Sequence, residues 1–236
     1  LRGPATLFYG SGAIGGVVNV VDNRVPTDST TRGEWNLEHN SVDNQKVASF
    51  NATTGTDSVA FYADAFWREA DDYEVPVAAD IDSDDEEHRG DYTVENSNEE
   101  SDGFTVGASY LMDNGFIGLA VEQFNRQYGI PGHTHGEEEE EEHSDEEESV
   151  FADLEQTKVQ LLGEYNLDNK WLNKVNLRVG HTDYEHAEIE GGAVGTTFKN
   201  ETNEFRIDLL HNQFNEWNGG ISFHYKQSDV EAQGEE

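Results

Sequence analysis

Nine short segments in which apolar and polar residues alternate one by one limit the fold of this chain more than any other feature. The first carries Trp35, Leu37 and His39, and the second runs from Val47 to Thr54. Val59, Phe61, Ala63, Ala65 and Trp67 follow on one face, then Phe104, Val106, Ala108, Tyr110 and Met112. Phe116 to Gln127 returns after Asp113-Asn114-Gly115, a hairpin signal. Val159, Leu161, Gly163 and Tyr165 make the sixth segment, and Val175, Leu177 and Val179 the seventh. Phe205, Ile207 and Leu209, then Ile221, Phe223 and Tyr225, complete the series. Side chains between these positions are polar, as in Lys158, Gln160 and Glu164 or Glu204, Arg206 and Asp208. Period two over so many segments predicts antiparallel β-strands, each with one apolar side.

A soluble β-sandwich alternates in the same way, so the connections have to decide. Counting from the first strand, odd-to-even connections after the first are long: about 70–102, about 128–156 and 187–202. Even-to-odd connections are short, at Gly55-Thr56-Asp57-Ser58, Asp113-Asn114-Gly115, 168–173 and 212–219. An outer-membrane barrel is built this way, with short periplasmic turns and long outer loops. The expected fold is therefore all-β: a partial transmembrane antiparallel β-barrel of about nine strands spanning 27–236. Trp35, Trp67, Tyr110, Tyr165, Trp171 and Tyr225 fall near strand ends, where interfacial aromatic girdles belong. Strands that stop at nine leave open edges, so further strands are expected.

Composition excludes some functions. With 14 Lys+Arg against 50 Asp+Glu, the formal net charge is -36, and no basic face exists to neutralise phosphates. Nucleic acid is not an expected partner. No run of about 18 apolar residues offers a transmembrane helix, and the 236 residues include no cysteine. The chain opens in mid-motif at Leu1 and reads as a piece of a longer protein.

Residues 1–26, LRGPATLFYGSGAIGGVVNVVDNRVP, differ in texture, being rich in glycine and uncharged between Gly3 and Val21. Gly10-Ser11-Gly12-Ala13-Ile14-Gly15 satisfies G-x-G-x-x-G, but an Arg-Gly-Pro turn precedes it and a Val-Val-Asn-Val-Val strand follows. A dinucleotide site needs a buried strand before it and a helix after it, so that reading is set aside. The segment instead resembles the end of the plug domain of TonB-dependent outer-membrane receptors, where an LRGP turn leads into a Y-G-x-G-A-x-G-G-V-V-N run. YGIPGHTHG (128–136), LEQTKVQLLGEYNL (154–167) and DYEHAEIEGGAVGTTFKNET (183–202) are similar to the zinc-uptake receptors of that family. The resemblance implies a plug end at 1–26, energised uptake driven by the inner-membrane TonB complex, outer-membrane lipid around the barrel, and no enzymatic activity. The loop after G-x-H-x-H departs from those receptors: it is EEEEEEHSDEEE rather than rich in histidine.

His133, His135 and His143, with Glu137 and Glu138 beside them, are the main candidate metal ligands. Imidazole suits zinc, copper and nickel, and carboxylates add attraction and can complete a shell. The competing reading is a solvated, self-repelling acidic loop with incidental histidines. His186 and Glu188 share one strand face and form a second candidate pair at the barrel mouth, with His181 on the opposite face. DIDSDDEE at 80–87 matches a calcium loop only loosely, lacking its sixth-position glycine. No G-x-S-x-G or other catalytic constellation is present. The expected cargo is a divalent metal, zinc first, carried as substrate and not as a prosthetic cofactor. The alternatives are a ferric siderophore or other metal chelate, and, in another class, a non-transporting calcium-binding surface protein.

Overall fold

The computed structural model describes residues 23–77, 92–131, 150–217 and 219–234. Nine antiparallel strands form one open sheet in chain order: β1 (Arg32–His39), β2 (Lys46–Gly55), β3 (Val59–Ala70), β4 (Glu99–Met112), β5 (Gly115–Gly129), β6 (Val150–Asn166), β7 (Leu172–Glu190), β8 (Ala193–His211) and β9 (Gly220–Gly234). Each strand pairs with the next, so every connection is a hairpin. Among the described residues no helix is long and apolar enough to cross a membrane, which says nothing of strands.

Because directly paired residues point to the same side of a sheet, the register sorts every strand residue onto one of two faces. On β4, Ser101, Thr105 and Ser109 are buried, whereas Phe104, Val106 and Tyr110 are about half exposed. The exposed set continues across the register: Phe61 and Ala63 on β3, Leu119 and Val121 on β5, Leu161 and Val159 on β6. Large apolar side chains thus crowd the side that no described residue covers. The other side carries polar and small residues together with a few aromatic pairs such as Phe66 and Phe124, whose rings stack 6.0 Å apart.

Residues just before β1 lie on the polar side. The Arg24 guanidinium pairs with Glu122 on β5, and Val25 and Pro26 are fully buried. Gly107 and Gly118 make this seat possible. A Cβ on Gly107 would collide with the Arg24 carbonyl, and one on Gly118 would stand 2.6 Å from Val25 Cγ1. Most of the segment expected to end a plug, 1–22, lies outside the described residues.

The third expected loop needs correction. The span 187–202 is not a loop, because β7 continues to Glu190 and β8 begins at Ala193. Gly191 and Gly192 close the hairpin with φ of 54° and 79°. Two successive positive φ values define a type I′ turn, which glycine adopts without strain. The strand was hidden because the apolar side ends before it. Val179, Phe205 and Tyr225 are successive partners across β7, β8 and β9, and the next outward-facing row is His181, Asn203 and Gln227. Beyond that line the outer face turns polar, with Asp183, Glu185, Lys199 and Glu201, so the apolar–polar alternation is lost.

The two acidic connections are also shorter than expected, since β4 starts at Glu99, β5 ends at Gly129 and β6 starts at Val150. The root of the first is built. Glu74 bridges Thr93, and Ser97 donates its backbone N–H to Asp72 at 2.7 Å. The Asn96 side-chain amide donates to the carbonyls of Ile130 and Val150 at 3.0 and 2.8 Å, tying one acidic connection to the base of the other.

Candidate functional site

The polar face is the part of the sheet equipped to recognise a charged ligand. Most strand lysines and arginines stand on it, including Arg68, Arg126, Lys158, Lys174, Arg178 and Arg206, while Lys46 and Lys199 lie on the other face. In a chain of net charge -36, that sorting removes cations from one surface and gathers them on the other.

Near the long connections, Glu99 is shared by two guanidiniums from neighbouring strands. Arg68 Nη1 approaches one oxygen at 3.4 Å and Arg126 Nη2 the other at 3.0 Å. Arg126 also lies over the Tyr128 ring, 4.6 Å from its centroid. A carboxylate held between two arginines fixes the position of both side chains. Further along the wall, Lys174 pairs with Glu164 at 2.7 Å, Arg206 with Asp208 at 3.0 Å, and His224 Nε2 with Glu204 Oε1 at 2.7 Å.

His186 belongs to this face and to an aromatic cluster. Its ring centroid lies 5.9 Å from that of Phe198, 6.3 Å from Tyr128 and 6.5 Å from Tyr184. Its Nε2 is buried without a hydrogen-bond partner. An imidazole nitrogen in that position is available to a ligand, at the cost of desolvation while nothing binds it. Glu188 lies two residues on, on the same face, opposite Ala152 of β6. The alternation that put His186 and Glu188 together is thus retained in the strand. His181 is on the other face, its Nδ1 3.0 Å from the Asn203 side-chain oxygen.

His133, His135, His143, Glu137 and Glu138 lie outside the described residues. Among the described residues, no cluster of three or more His, Asp or Glu side chains has metal-binding geometry. The Arg68–Glu99–Arg126 triad was missed by sequence reasoning. Its residues are far apart in the chain, and only the register, Arg68 opposite Ser101 and Ser101 opposite Arg126, brings them to one place. No model of a known protein family matches the chain.

Proposed function

We propose that this chain is part of a TonB-dependent outer-membrane receptor, comprising the end of the plug and the first strands of a transmembrane barrel, and that its cargo is a divalent metal, zinc first. One observation carries the membrane part of this reading. A sheet with large apolar side chains exposed along one face, and most of its lysines and arginines on the other, is inside-out for water and suited to lipid. At a strand rise of about 3.4 Å and a tilt of roughly 40°, the Phe104–Met112 run covers about 21 Å of membrane normal, close to the apolar band of about 25 Å in known barrels. Tyr110, Tyr165 and Trp171 at the short-turn ends and Trp67 at the long-connection end would form the two girdles.

In this orientation the long acidic connections face outward. Their carboxylates attract cations, and the imidazoles of His133, His135 and His143 supply ligands suited to zinc. His186, whose Nε2 has no hydrogen-bond partner among the described residues, lies on the polar face near the β7–β8 turn. The protein's part in transport is capture and passage, not covalent chemistry. TonB would supply the force through the plug.

The test is zinc accumulation and growth under chelation in cells expressing the full receptor. Replacing His133, His135 and His143 by Ala should reduce both at limiting zinc, leaving the protein's abundance in the membrane unchanged. Unaltered uptake in the triple variant removes the loop as the capture site, and uptake independent of TonB removes the receptor reading.

A further inference from the structure

We infer that the polar face of β6–β8 carries an anion-binding recess that takes a small polycarboxylate. The recess, about 150 Å³, lies over Gln160 and Gly180, a directly paired position on β6 and β7. Lys158 and Arg178 flank it from opposite ends, and the Thr182 and Thr202 hydroxyls and Glu204 complete its wall. Gly180 keeps it open: a Cβ there would meet only Glu204 Cβ, at 4.0 Å. Unlike the paired cations elsewhere on this face, Lys158 and Arg178 form no ion pair among the described residues.

The one carboxylate in the wall is already engaged. Glu204 Oε1 is 2.7 Å from His224 Nε2, and Lys226 faces Glu204 across the β8–β9 register. The recess therefore presents two cations without ion pairs in the rows on either side of Gln160, Gly180 and Glu204, with Thr182 and Thr202 in the Lys158 row. That pattern matches an anion with carboxylates at both ends: a bidentate partner for the Arg178 fork, a point charge for the Lys158 ammonium with the Thr182 hydroxyl beside it, and the Gln160 amide for the middle. A bare divalent cation would be repelled. The inference goes beyond the transport reading. It requires only that this face be wetted.

Citrate serves as the probe, with inorganic phosphate as the comparison. Binding to the detergent-solubilised full receptor is measured calorimetrically at low salt. Citrate should bind, and Lys158→Gln or Arg178→Gln should each weaken it by about tenfold, the loss typical of one charge-assisted contact. Glu204→Gln, which removes the neighbouring negative charge, should tighten it. Gly180→Leu keeps every charge but fills the recess and should abolish it. Strand content by circular dichroism establishes that each variant is folded. Absence of citrate binding to the unaltered receptor, equal binding by all variants, or phosphate bound as tightly as citrate would each overturn the assignment. Because binding needs neither TonB nor zinc, failure here is distinct from failure of the uptake tests, which bear on the capture loop and the receptor reading alone.

Discussion

Arg24 and Glu122 are separated by most of the first half of the sheet in sequence, yet their side chains form an ion pair that fastens the chain ahead of β1 to β5. Their side chains are 31% and 17% exposed, so the pair is partly shielded from water and salt. A double-mutant cycle with Arg24→Gln and Glu122→Gln should give a coupling energy of about 1 kcal/mol. Urea unfolding of the four proteins measures it. Zero coupling would mean that Val25, Pro26 and the glycine seat hold this segment alone.

Val106 and Gln160 test which face meets lipid. Val106 lies midway along the apolar run of β4 and is 50% exposed, and Gln160 is on the polar face of β6. In phospholipid vesicles Val106→Arg should destabilise the folded state by about 2–4 kcal/mol, the cost of an arginine at mid-membrane depth. Gln160→Arg should change it by less than about 0.5 kcal/mol. Equal costs for the two substitutions would contradict a membrane-facing apolar side.

The strands were legible wherever one face is apolar and the other polar, because burial in an apolar phase writes a period of two into the sequence. Phe104 to Met112 and Ile221 to Tyr225 are examples, and both lie in strands where the alternation puts them. The signal stops at Val179, Phe205 and Tyr225. Past that row the outer side of β7, β8 and β9 turns polar and no longer contrasts with the inner one, so Thr196, Thr197 and Phe198 read as loop although they are paired with β9. A different clue, the Gly-Gly pair at 191–192, marked the turn and was not used. The candidate site was half legible: His186 and Glu188 are two apart in one strand, and parity suffices to place them together. The aromatic rings around His186 come from β5, β7 and β8, and only a known register reveals such a cluster.

Gly191 and Gly192 should tolerate substitution unequally. Asn adopts the left-handed region more readily than other residues, and φ at Gly191 is 54°. Gly191→Asn should therefore cost only a few tenths of a kcal/mol. Gly192→Val forces a β-branched residue to a φ of 79° and should cost about 1–3 kcal/mol. The cost would be local, seen as faster amide exchange in 186–198 with the rest of the sheet unaltered. Uniform loss of protection across β6–β9 would show instead that this hairpin and the sheet beneath it open as one unit.

Asp28 gives the chain ahead of β1 a dependence on pH. The Arg32 guanidinium, donating to its carboxylate at 2.8 Å, holds the Asp28 pKa below its ordinary value, and the Thr30 backbone N–H, at 2.9 Å, adds to this. A carboxylate with a depressed folded-state pKa contributes stability above its unfolded value of about 3.9 and loses it as pH falls through the lower, folded value. Protonation should therefore release the Asp28–Arg32 contact only in acid below pH of about 4. The effect will be small, because both side chains are well exposed, at 39% for Arg32 and 47% for Asp28. Amide exchange at Thr30, followed from neutral pH into that range and corrected for intrinsic rates, should accelerate in the unaltered protein. In Asp28→Asn, whose amide oxygen still accepts from the Thr30 N–H but cannot titrate, this acid transition should be absent. A transition at neutral pH, or one that persists in the Asn variant, would assign the titration to a different group.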